Sequence, residues 1–488
     1  MIADWLAGWP WFDASGMDLR WLVWLSWLFV SYFTGLNLLY VALNVVALRL
    51  IGRESVHSKL AALPGYSAGL EPGIAIVVPA YNEAATISAS VRSLLQLDYP
   101  DYEVIVVNDG SKDDTMEVLK REFGLQLFPE AYRVSIPVAP VRGLWRSPQH
   151  PHLRVIDKTN GGRSDAVNAG INAAHHGLIC AVDADSVLQR DSLRRIARPF
   201  MEDSRVIACG GTVRISNGCT IAQGFLQRVD VPSSWLARIQ VVEYLRGFLY
   251  GRMGWVPVNG LLIISGAFGL FRRASLIEAG GFSTTTIGED MEMVLRLHRL
   301  NRLARRDYRI TFAPDAVCWT EAPETFKVLR SQRTRWQRGL MECSWANRQL
   351  FFHPRAGVVG WLALPLTLLF EGLGPVIELA GYVVMSFLVL TGLISWAAFG
   401  SFLLLAIGMG MMLSASALLL EELAFRTYPK PRHLMQLLAA IVFENIGYRQ
   451  LQTWWRIVGL AQWATRREQR WGEMARRGSG QPGGVPPS

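Results

Sequence analysis

The chain has 488 residues, enough for two or three domains, and its 51% hydrophobic content with 18 tryptophans is high for a soluble protein but not uniformly apolar. That mixture indicates a soluble domain joined to membrane segments, and the net charge of +9 then favours anionic lipid or phosphorylated substrates over nucleic acid. None of the five cysteines is paired with another at the spacing of zinc ligands, and their positions form no disulfide framework. We therefore expect reduced thiols in a cytosolic domain.

The first hydrophobic segment, residues 21–48, contains no charged side chain and is long enough to cross a bilayer. Arg49 and Arg53 follow it directly. The positive-inside rule therefore predicts that residues 1–20 form a short extracytoplasmic N-terminus and that the next domain is cytosolic. We expect a multi-pass protein of the inner or plasma membrane.

A second hydrophobic block occupies residues 357–424. Within it, residues 376–394 and 399–420 are each predicted to span the membrane. Residues 361–370 are too short for a span and are predicted to be interfacial or re-entrant.

The C-terminal region, residues 425–477, is basic and rich in tryptophan. Its residues 434–463 mix apolar and charged side chains, which predicts one helix lying along the membrane surface. Residues 478–488 are rich in Gly, Pro and Ser and are predicted to be a disordered tail.

Residues 54–356 lie between the membrane blocks and begin with alternating strand and helix patterns. This alternation predicts a doubly wound α/β domain with a mostly parallel sheet, which binds ligands beyond the carboxyl ends of its strands. The predicted strands are the short apolar runs at 74–79, 103–107, 153–156 and 178–182, and the predicted helices cover 84–95, 113–121 and 164–174.

Acidic residues follow two of these strands. Asp183 and Asp185 come after residues 178–182, and two such carboxylates can hold Mg²⁺ or Mn²⁺ together with diphosphate oxygens. Asp109 ends another strand, where it can accept hydrogen bonds from a base or a ribose. Solvated turn residues explain each motif equally well when it is taken alone.

A glycine pair precedes the helix predicted at 164–174. Backbone N–H groups there, with Arg163, can hold phosphate. The alternative is an ordinary loop in which Ser164 or Asp165 caps the helix. Farther along, the small residues Ser265 and Gly266 would let a bulky ligand approach the backbone, or they serve packing alone.

Two later motifs carry polar groups on helices. Glu289 and Asp290 precede a helical pattern, where an acid is either a helix cap or a general base for an acceptor hydroxyl. Gln332, Arg335 and Trp336 share one helical face. There the arginine can bind a diphosphate and the indole can support a sugar ring, unless the stretch is only a basic amphipathic segment at the membrane.

In their order along the chain, these motifs resemble the family 2 glycosyltransferases, in particular the membrane-embedded processive synthases of cellulose, chitin, hyaluronan and poly-N-acetylglucosamine. The Gln-x-x-Arg-Trp run at 332–336 is the most specific, because it marks the processive branch. The resemblance implies a GT-A fold, a Rossmann-like nucleotide-sugar domain with a mixed, mostly parallel sheet, inserted between transmembrane helices. The layout, with one N-terminal span and a Trp-rich C-terminal amphipathic stretch, resembles the poly-N-acetylglucosamine synthase group more than the regulated cellulose synthase subunit. Arg163 stands where many relatives carry lysine.

The resemblance implies an inverting, metal-dependent transferase that uses UDP-N-acetylglucosamine or UDP-glucose to elongate a β-linked polysaccharide. Asp290 is expected to be the base, with Glu289 beside it. Arg335 is expected to stabilise the leaving diphosphate, with Gln332 in support. The implied donor-binding residues are Ala80, Tyr81, Glu83, Asp109, Arg163, Asp165 and Asp183; the implied metal ligands are Asp183 and Asp185, for Mg²⁺ or Mn²⁺; and the implied acceptor-binding residues are Ser265, Gly266 and Trp336.

The implied partners are a UDP-sugar donor, a growing polysaccharide and membrane lipid, without nucleic acid; whether accessory export subunits are required stays open. Two alternatives also stay open: transfer of one sugar to a lipid acceptor, and a catalytically silent export subunit. Glu371 and Glu378 lie in or beside predicted membrane segments, where buried acids are costly and often functional. They either line a sugar path or serve as packing acids.

Overall fold

The structure, a computed structural model, describes residues 20–61, 71–222, 224–428 and 430–466. The predictions for the extracytoplasmic N-terminus and for the disordered tail concern residues that lie outside these ranges. The strands are β1 (Ile74–Ala80), β2 (Tyr102–Asp109), β3 (Gln126–Leu127), β4 (Val141–Arg146), β5 (Leu153–Lys158), β6 (Leu178–Val182), β7 (Val187–Leu188), β8 (Val206–Ile215), β9 (Thr220–Ala222), β10 (Phe225–Arg228), β11 (Phe268–Arg272) and β12 (Arg309–Thr320).

The main sheet has ten strands in the order β3-β4-β5-β2-β1-β6-β11-β8-β12-β7. The predicted mixed sheet is confirmed. Its parallel part consists of β5-β2-β1-β6 together with the pair β8-β12, and the other neighbours are antiparallel. Because β2, β1 and β6 are parallel neighbours, their carboxyl ends meet at one edge, which is where the sequence predicts ligand binding.

Helices cover both faces of this sheet and extend beyond it. They are α1 (Arg20–Ala61), α2 (Ile87–Leu94), α3 (Thr115–Phe123), α4 (Arg163–Ala173), α5 (Ser192–Glu202), α6 (Trp235–Tyr244), α7 (Gly251–Met253), α8 (Arg273–Glu278), α9 (Glu289–Leu303), α10 (Phe326–Ala346), α11 (Leu364–Thr367), α12 (Gly374–Leu390), α13 (Trp396–Leu403), α14 (Met409–Ala424), α15 (Pro431–Phe443) and α16 (Arg449–Ala464). Short π-helical turns cover Leu245–Tyr250, Val359–Ala363, Leu368–Gly372, Leu404–Gly408 and Glu444–Tyr448, and a 3₁₀ turn covers Arg348–Leu350.

The packing of α4 on the sheet depends on one glycine. A Cβ at Gly170 would lie 2.3 Å from Cγ1 of Val77 in β1, so only glycine lets the helix approach this closely. Val77 and its neighbours in β1 are buried on both faces, as the continuous apolar run predicts. This contact fixes the C-terminal half of α4 against the middle of β1.

Apolar helices long enough to cross a membrane occur on both sides of this domain. Among the described residues, Trp24–Leu50 and Trp396–Ala424 meet that requirement singly. Val359–Gly372 and Gly374–Leu390 meet it only as a pair, bent by 47°. The predicted span at 376–394 is therefore shorter than expected, since its helix ends at Leu390 after 17 residues. These helices indicate a membrane-associated protein.

The single surface helix predicted at 434–463 is wrong. The structure has two helices, α15 and α16, because Ile446 and Gly447 leave the helical conformation and Gly447 takes a φ of 98°. Helix α16 then packs along α10 and against α12.

A buried ion cluster lies beneath the carboxyl edge of the sheet. Lys158, the last residue of β5, is fully buried, and its Nζ lies 2.7 Å from Oδ1 of Asp109 and also contacts Asp165. One buried cation thus joins the end of β2 to the first turn of α4.

We predict that Lys158→Met lowers the free energy of unfolding by about 3–5 kcal/mol, because it leaves two buried carboxylates without their cation. Thermal and denaturant unfolding of the purified protein in detergent measures the change. The matched control is Lys327→Met, at an exposed position in the first turn of α10, which we expect to change stability little. Equal stability of the two variants would contradict the role of the cluster.

Candidate active site

A cavity of about 2100 Å³ begins at the carboxyl edge of the sheet and continues between the membrane helices. Every residue that the sequence analysis singled out as a site residue lines it, except Asp165. The lining members are Ala80, Tyr81, Glu83, Asp109, Arg163, Asp183, Asp185, Ser265, Gly266, Glu289, Asp290, Gln332, Arg335 and Trp336.

Asp109 shapes the loop that precedes α4. Its Oδ2 accepts hydrogen bonds from the N–H of Gly162 at 2.7 Å and from Nδ2 of Asn160 at 3.1 Å. Its Oδ1 accepts from the N–H of Gly161 at 3.0 Å as well as from Lys158. The carboxylate therefore holds the glycine loop in place at the wall of the cavity.

Asp165 faces away from the cavity, in contrast to the predicted place beside the nucleotide. Its carboxylate pairs with Lys158 and accepts from the backbone N–H of Ala139 at 3.0 Å. The alternative, in which Ser164 or Asp165 caps the helix, is also wrong, because α4 begins at Arg163 and Gly162 precedes it. Asp165 thus supports the loop from behind.

Arg163 joins two acidic groups across the cavity. Its Nη2 donates to Oδ1 of Asp183 at 2.7 Å and to the carbonyl of Gly266 at 2.7 Å, and its Nη1 donates to Oε1 of Glu289 at 2.8 Å. A Cβ at Gly266 would lie 3.0 Å from this guanidinium, so the small residue makes room for it. Burial lowers the pKa of Arg163, but the two carboxylates outweigh burial and raise it above its ordinary value.

The two aspartates after β6 fit a divalent cation that is shared with a substrate. Among the described residues no group of three His, Cys, Asp or Glu side chains could hold a metal alone. Mg²⁺ often takes one or two carboxylates and completes its shell with phosphate oxygens and water. Asp183 and Asp185 supply such a pair at the cavity wall.

Glu289 and Asp290 form the first turn of α9. Burial raises the pKa of both carboxyls, although Arg163 opposes the rise for each of them. Oδ1 of Asp290 accepts from its neighbour's N–H, that of Met291, at 2.8 Å. A buried carboxylate with a raised pKa is suited to take a proton from an acceptor hydroxyl near neutral pH.

The loop before α9 rests directly on α10. A Cβ at Gly339 would lie 3.1 Å from the backbone nitrogen of Gly288, and one at Gly288 would lie 3.0 Å from Sγ of Cys343. The Cys343 thiol also contacts the Gly288 carbonyl at 3.0 Å. Small residues at this contact therefore fix the distance between Asp290 and α10.

Helix α10 presents its predicted polar face to the cavity. The side chain of Trp336 is 40% exposed. Burial lowers the pKa of Arg335, but this arginine stays charged at neutral pH. Oε1 of Gln332 is buried without a hydrogen-bond partner among the described residues, so a ligand group could satisfy it.

Arg333 and Arg252 are site residues that the sequence analysis missed. The guanidinium of Arg333 lies 4.2 Å from the ring centroid of Trp336 and pairs with Glu243 at 2.7 Å, which holds the indole in place. Arg252 lines the cavity, favours the ionised form of Asp290, and has its own pKa lowered to about 10 by burial. Arg252 lies in no motif, and Arg333 occupies an unspecified position inside the Gln-x-x-Arg-Trp run.

Beyond Trp336 the cavity runs between membrane helices, where Glu371 and Glu378 line it as well. Nε of Arg449 donates to Oε1 of Glu378 at 2.9 Å. Arg456 and Tyr40 both contact Glu371. The two acids are thus paired and also face the cavity.

The sequence matches the family description "Glycosyl transferase family 2" over residues 75–279 and "Glycosyl transferase family group 2" over residues 178–413. Together these matches cover more than two thirds of the chain, including all the motifs on the cavity wall. The chain belongs to the family 2 glycosyltransferases. It is a glycosyltransferase, and the domain that contains the ten-stranded sheet has the GT-A fold.

Similar proteins include poly-beta-1,6-N-acetyl-D-glucosamine synthases. Those of Staphylococcus epidermidis and Staphylococcus aureus are 28% identical over 268 and 267 residues, which is 55% of this chain and 54% of theirs. The chain thus matches about half the length of these relatives. A mannosyltransferase from Pyrobaculum calidifontis, solved with GDP-Man and Mn²⁺, is 17% identical with a TM-score of 0.46, over 89% of this chain and 100% of that one.

We predict that Arg252→Met moves the acid limb of the kcat/KM profile to higher pH. A general base must be ionised to accept a proton, and Asp290 is the residue we expect in this role. The rate should therefore fall as the pH drops through the pKa of Asp290, which burial places above the 3.8 ordinary for aspartate. Loss of the nearby cation raises that pKa further. Initial rates of sugar transfer across a pH series measure the limb. Arg92→Met, at an exposed position, is the control and should leave it unchanged; a limb that stays in place in Arg252→Met would contradict the assignment.

Proposed function

We propose that this transferase is inverting and metal-dependent, and that it uses a UDP-sugar to elongate a β-linked polysaccharide at the membrane. One observation carries the proposal. The polar face of α10 lines the same cavity as Asp183, Asp185 and Asp290, and that cavity continues between membrane helices. UDP-N-acetylglucosamine is our first choice of donor, because the similar synthases make poly-N-acetylglucosamine; UDP-glucose is the second.

The donor's nucleotide would occupy the end of the cavity nearest the sheet. Tyr81 and Glu83 line this part after β1, and Asp109 lines it after β2. The N–H groups of Gly161 and Gly162 are already bound to Asp109, so a diphosphate in front of this loop would interact with the positive end of the α4 dipole instead. These contacts bind and orient the donor.

The diphosphate would lie between two sources of positive charge. Asp183 and Asp185 would hold Mg²⁺ or Mn²⁺, which when bound supplies charge neutralisation to the leaving group. Arg335 would approach from α10, and its guanidinium can pair with phosphate oxygens through two N–H groups. Charge that develops on the diphosphate is thereby stabilised in the transition state.

Asp290 would act as the general base. The acceptor hydroxyl oxygen attacks the anomeric carbon from the side opposite the diphosphate, the bond from that carbon to the diphosphate oxygen breaks, and the hydroxyl proton passes to Asp290. The configuration at the anomeric carbon is inverted, and UDP leaves with the bonding electron pair. Orientation of the two reactants supplies much of the rate enhancement.

The acceptor sugar would stack on Trp336. Arg333 behind the indole restricts its rotation, and Ser265 and Gly266 leave room for the sugar on the cavity wall. After each transfer the chain end can move along the cavity past Glu371 toward the membrane helices. This geometry supports repeated addition over transfer of one sugar to a lipid.

We predict that the purified protein in lipid nanodiscs, with Mg²⁺ or Mn²⁺, forms a long polymer from one of UDP-N-acetylglucosamine, UDP-glucose, UDP-glucuronate and UDP-galactose. Asp290→Asn should lower the rate by about 10²–10⁴-fold, the contribution of general-base catalysis. UDP release and the size of the product on a gel measure both effects.

Asp98→Asn, at an exposed carboxylate, is the matched control and should keep full activity. Release of UDP with a single-sugar lipid product would overturn processive synthesis. No turnover with any donor would favour a silent subunit, and full activity in Asp290→Asn would remove the assigned base.

We further predict that EDTA stops transfer and that added Mg²⁺ or Mn²⁺ restores it. Asp185→Asn should need a higher metal concentration for half-maximal rate, because it removes one charged oxygen ligand. Metal titrations of the initial rate measure the shift, with Asp98→Asn again as control. Full activity in EDTA would contradict metal dependence.

A further inference from the structure

Gln337 follows Trp336 on α10 and is almost fully buried, yet its amide bonds outside the helix. Its Nε2 donates to the carbonyls of Glu371 at 3.1 Å and Gly372 at 2.8 Å. Its Oε1 accepts from Nε of Arg456 at 2.7 Å. The side chain adjacent to the acceptor platform is therefore attached to two membrane-region segments.

The two carbonyls lie at the bend between Val359–Gly372 and Gly374–Leu390. Carbonyls at the C-terminal end of a helix lack partners within the helix, and an unpaired one is costly in an apolar environment. Gln337 supplies two donors at this place. Arg456 also donates to the Glu371 carbonyl, so α10 and α16 hold the same bend.

Independent packing contacts join these elements. A Cβ at Gly459 of α16 would lie 2.7 Å from the carbonyl oxygen of Thr334 and 3.0 Å from Cβ of Gln337. On another side of α10, a Cβ at Gly339 would lie 3.1 Å from the backbone nitrogen of Gly288, in the loop before Asp290. Helix α10 is therefore held between the loop of Asp290 and the C-terminal helix α16.

We propose that Gln337 is a positioning residue that keeps Trp336 in register with the membrane-helix bend at Glu371. This positioning role rests on the proposed function, since it concerns how the polymer passes from Trp336 into the part of the cavity between the membrane helices. Gln337 itself lines the cavity, where its amide is bonded to the bend at Glu371 and Gly372. Its loss misaligns the path of the product and leaves donor binding intact, so polymers end early.

The test compares Gln337→Glu with wild type in nanodiscs. This variant keeps an oxygen for Arg456 but replaces two N–H donors with a carboxylate facing two carbonyls. We expect the mean product length to fall about tenfold. A tenfold change corresponds to roughly 1.4 kcal/mol, which is within the cost of leaving a buried polar group without a hydrogen bond. The KM for the donor stays unchanged, a separation that general misfolding would not produce.

Gly459→Ala provides a second, independent variant, because its new methyl group pushes α16 away from α10. It should shorten the product in the same way. The matched controls are Gln227→Glu, at an exposed position, and Gly400→Ala, where a Cβ meets no atom within 4 Å. Both should give polymers of wild-type length.

Two results separate the hypotheses. Wild-type polymer length in both Gln337→Glu and Gly459→Ala, or a donor KM that rises in parallel with the shortening, would overturn the positioning role while the proposed function stands. A wild-type protein that makes only single-sugar products would overturn the proposed function, and this inference with it.

Discussion

The site depends on one partly buried cation, Arg163, because its guanidinium pairs with carboxylates from two separate segments of the cavity wall. Burial raises the pKa of Glu289 and Asp290, and the charge of Arg163 opposes that rise for both carboxyls. The guanidinium reaches Asp183, Glu289 and the Gly266 carbonyl at once. A planar fork of donors can do this, whereas the single ammonium of a lysine cannot satisfy the same geometry. Arginine at this position therefore connects Asp183, on the proposed donor side of the cavity, to Glu289, the neighbour of the proposed base.

Helix α10 extends this connection to the membrane region. One face presents Arg335 and Trp336 to the cavity, while buried side chains and close glycine contacts attach its other faces to α9 and α16. Glycines at 288, 339 and 459 let three backbones approach within van der Waals contact. Such contacts transmit displacement, because packed backbones cannot yield as flexible side chains do. The loop of the proposed base and the proposed path of the product are thus joined through one tightly packed helix.

The carboxyl edge of the sheet was predictable from the sequence because its signals are local. Apolar runs followed by Asp109 or Asp183 mark strand ends, and parallel neighbours bring such ends together. Asp165 was misassigned because its direction depends on where α4 begins, and the helix begins at Arg163, one residue before its predicted start. The pairing of Gln337 with Gly372 joins distant segments, so no spacing rule indicates it. The break at Gly447 was missed because apolar residues continue on both sides.

The charges in the membrane part of the cavity are balanced. Isolated buried ions are costly in a low-dielectric environment, and pairing reduces that cost without making the wall apolar. Each acid here faces an arginine on another segment, so the wall offers hydrogen-bonding groups without a net field. A polyanion would need an excess of cations, whereas an uncharged sugar chain needs only donors and acceptors, in keeping with a neutral N-acetylhexosamine or hexose polymer. The pairs are Glu378 with Arg449, Glu444 with Arg246, and Glu371 with Arg456.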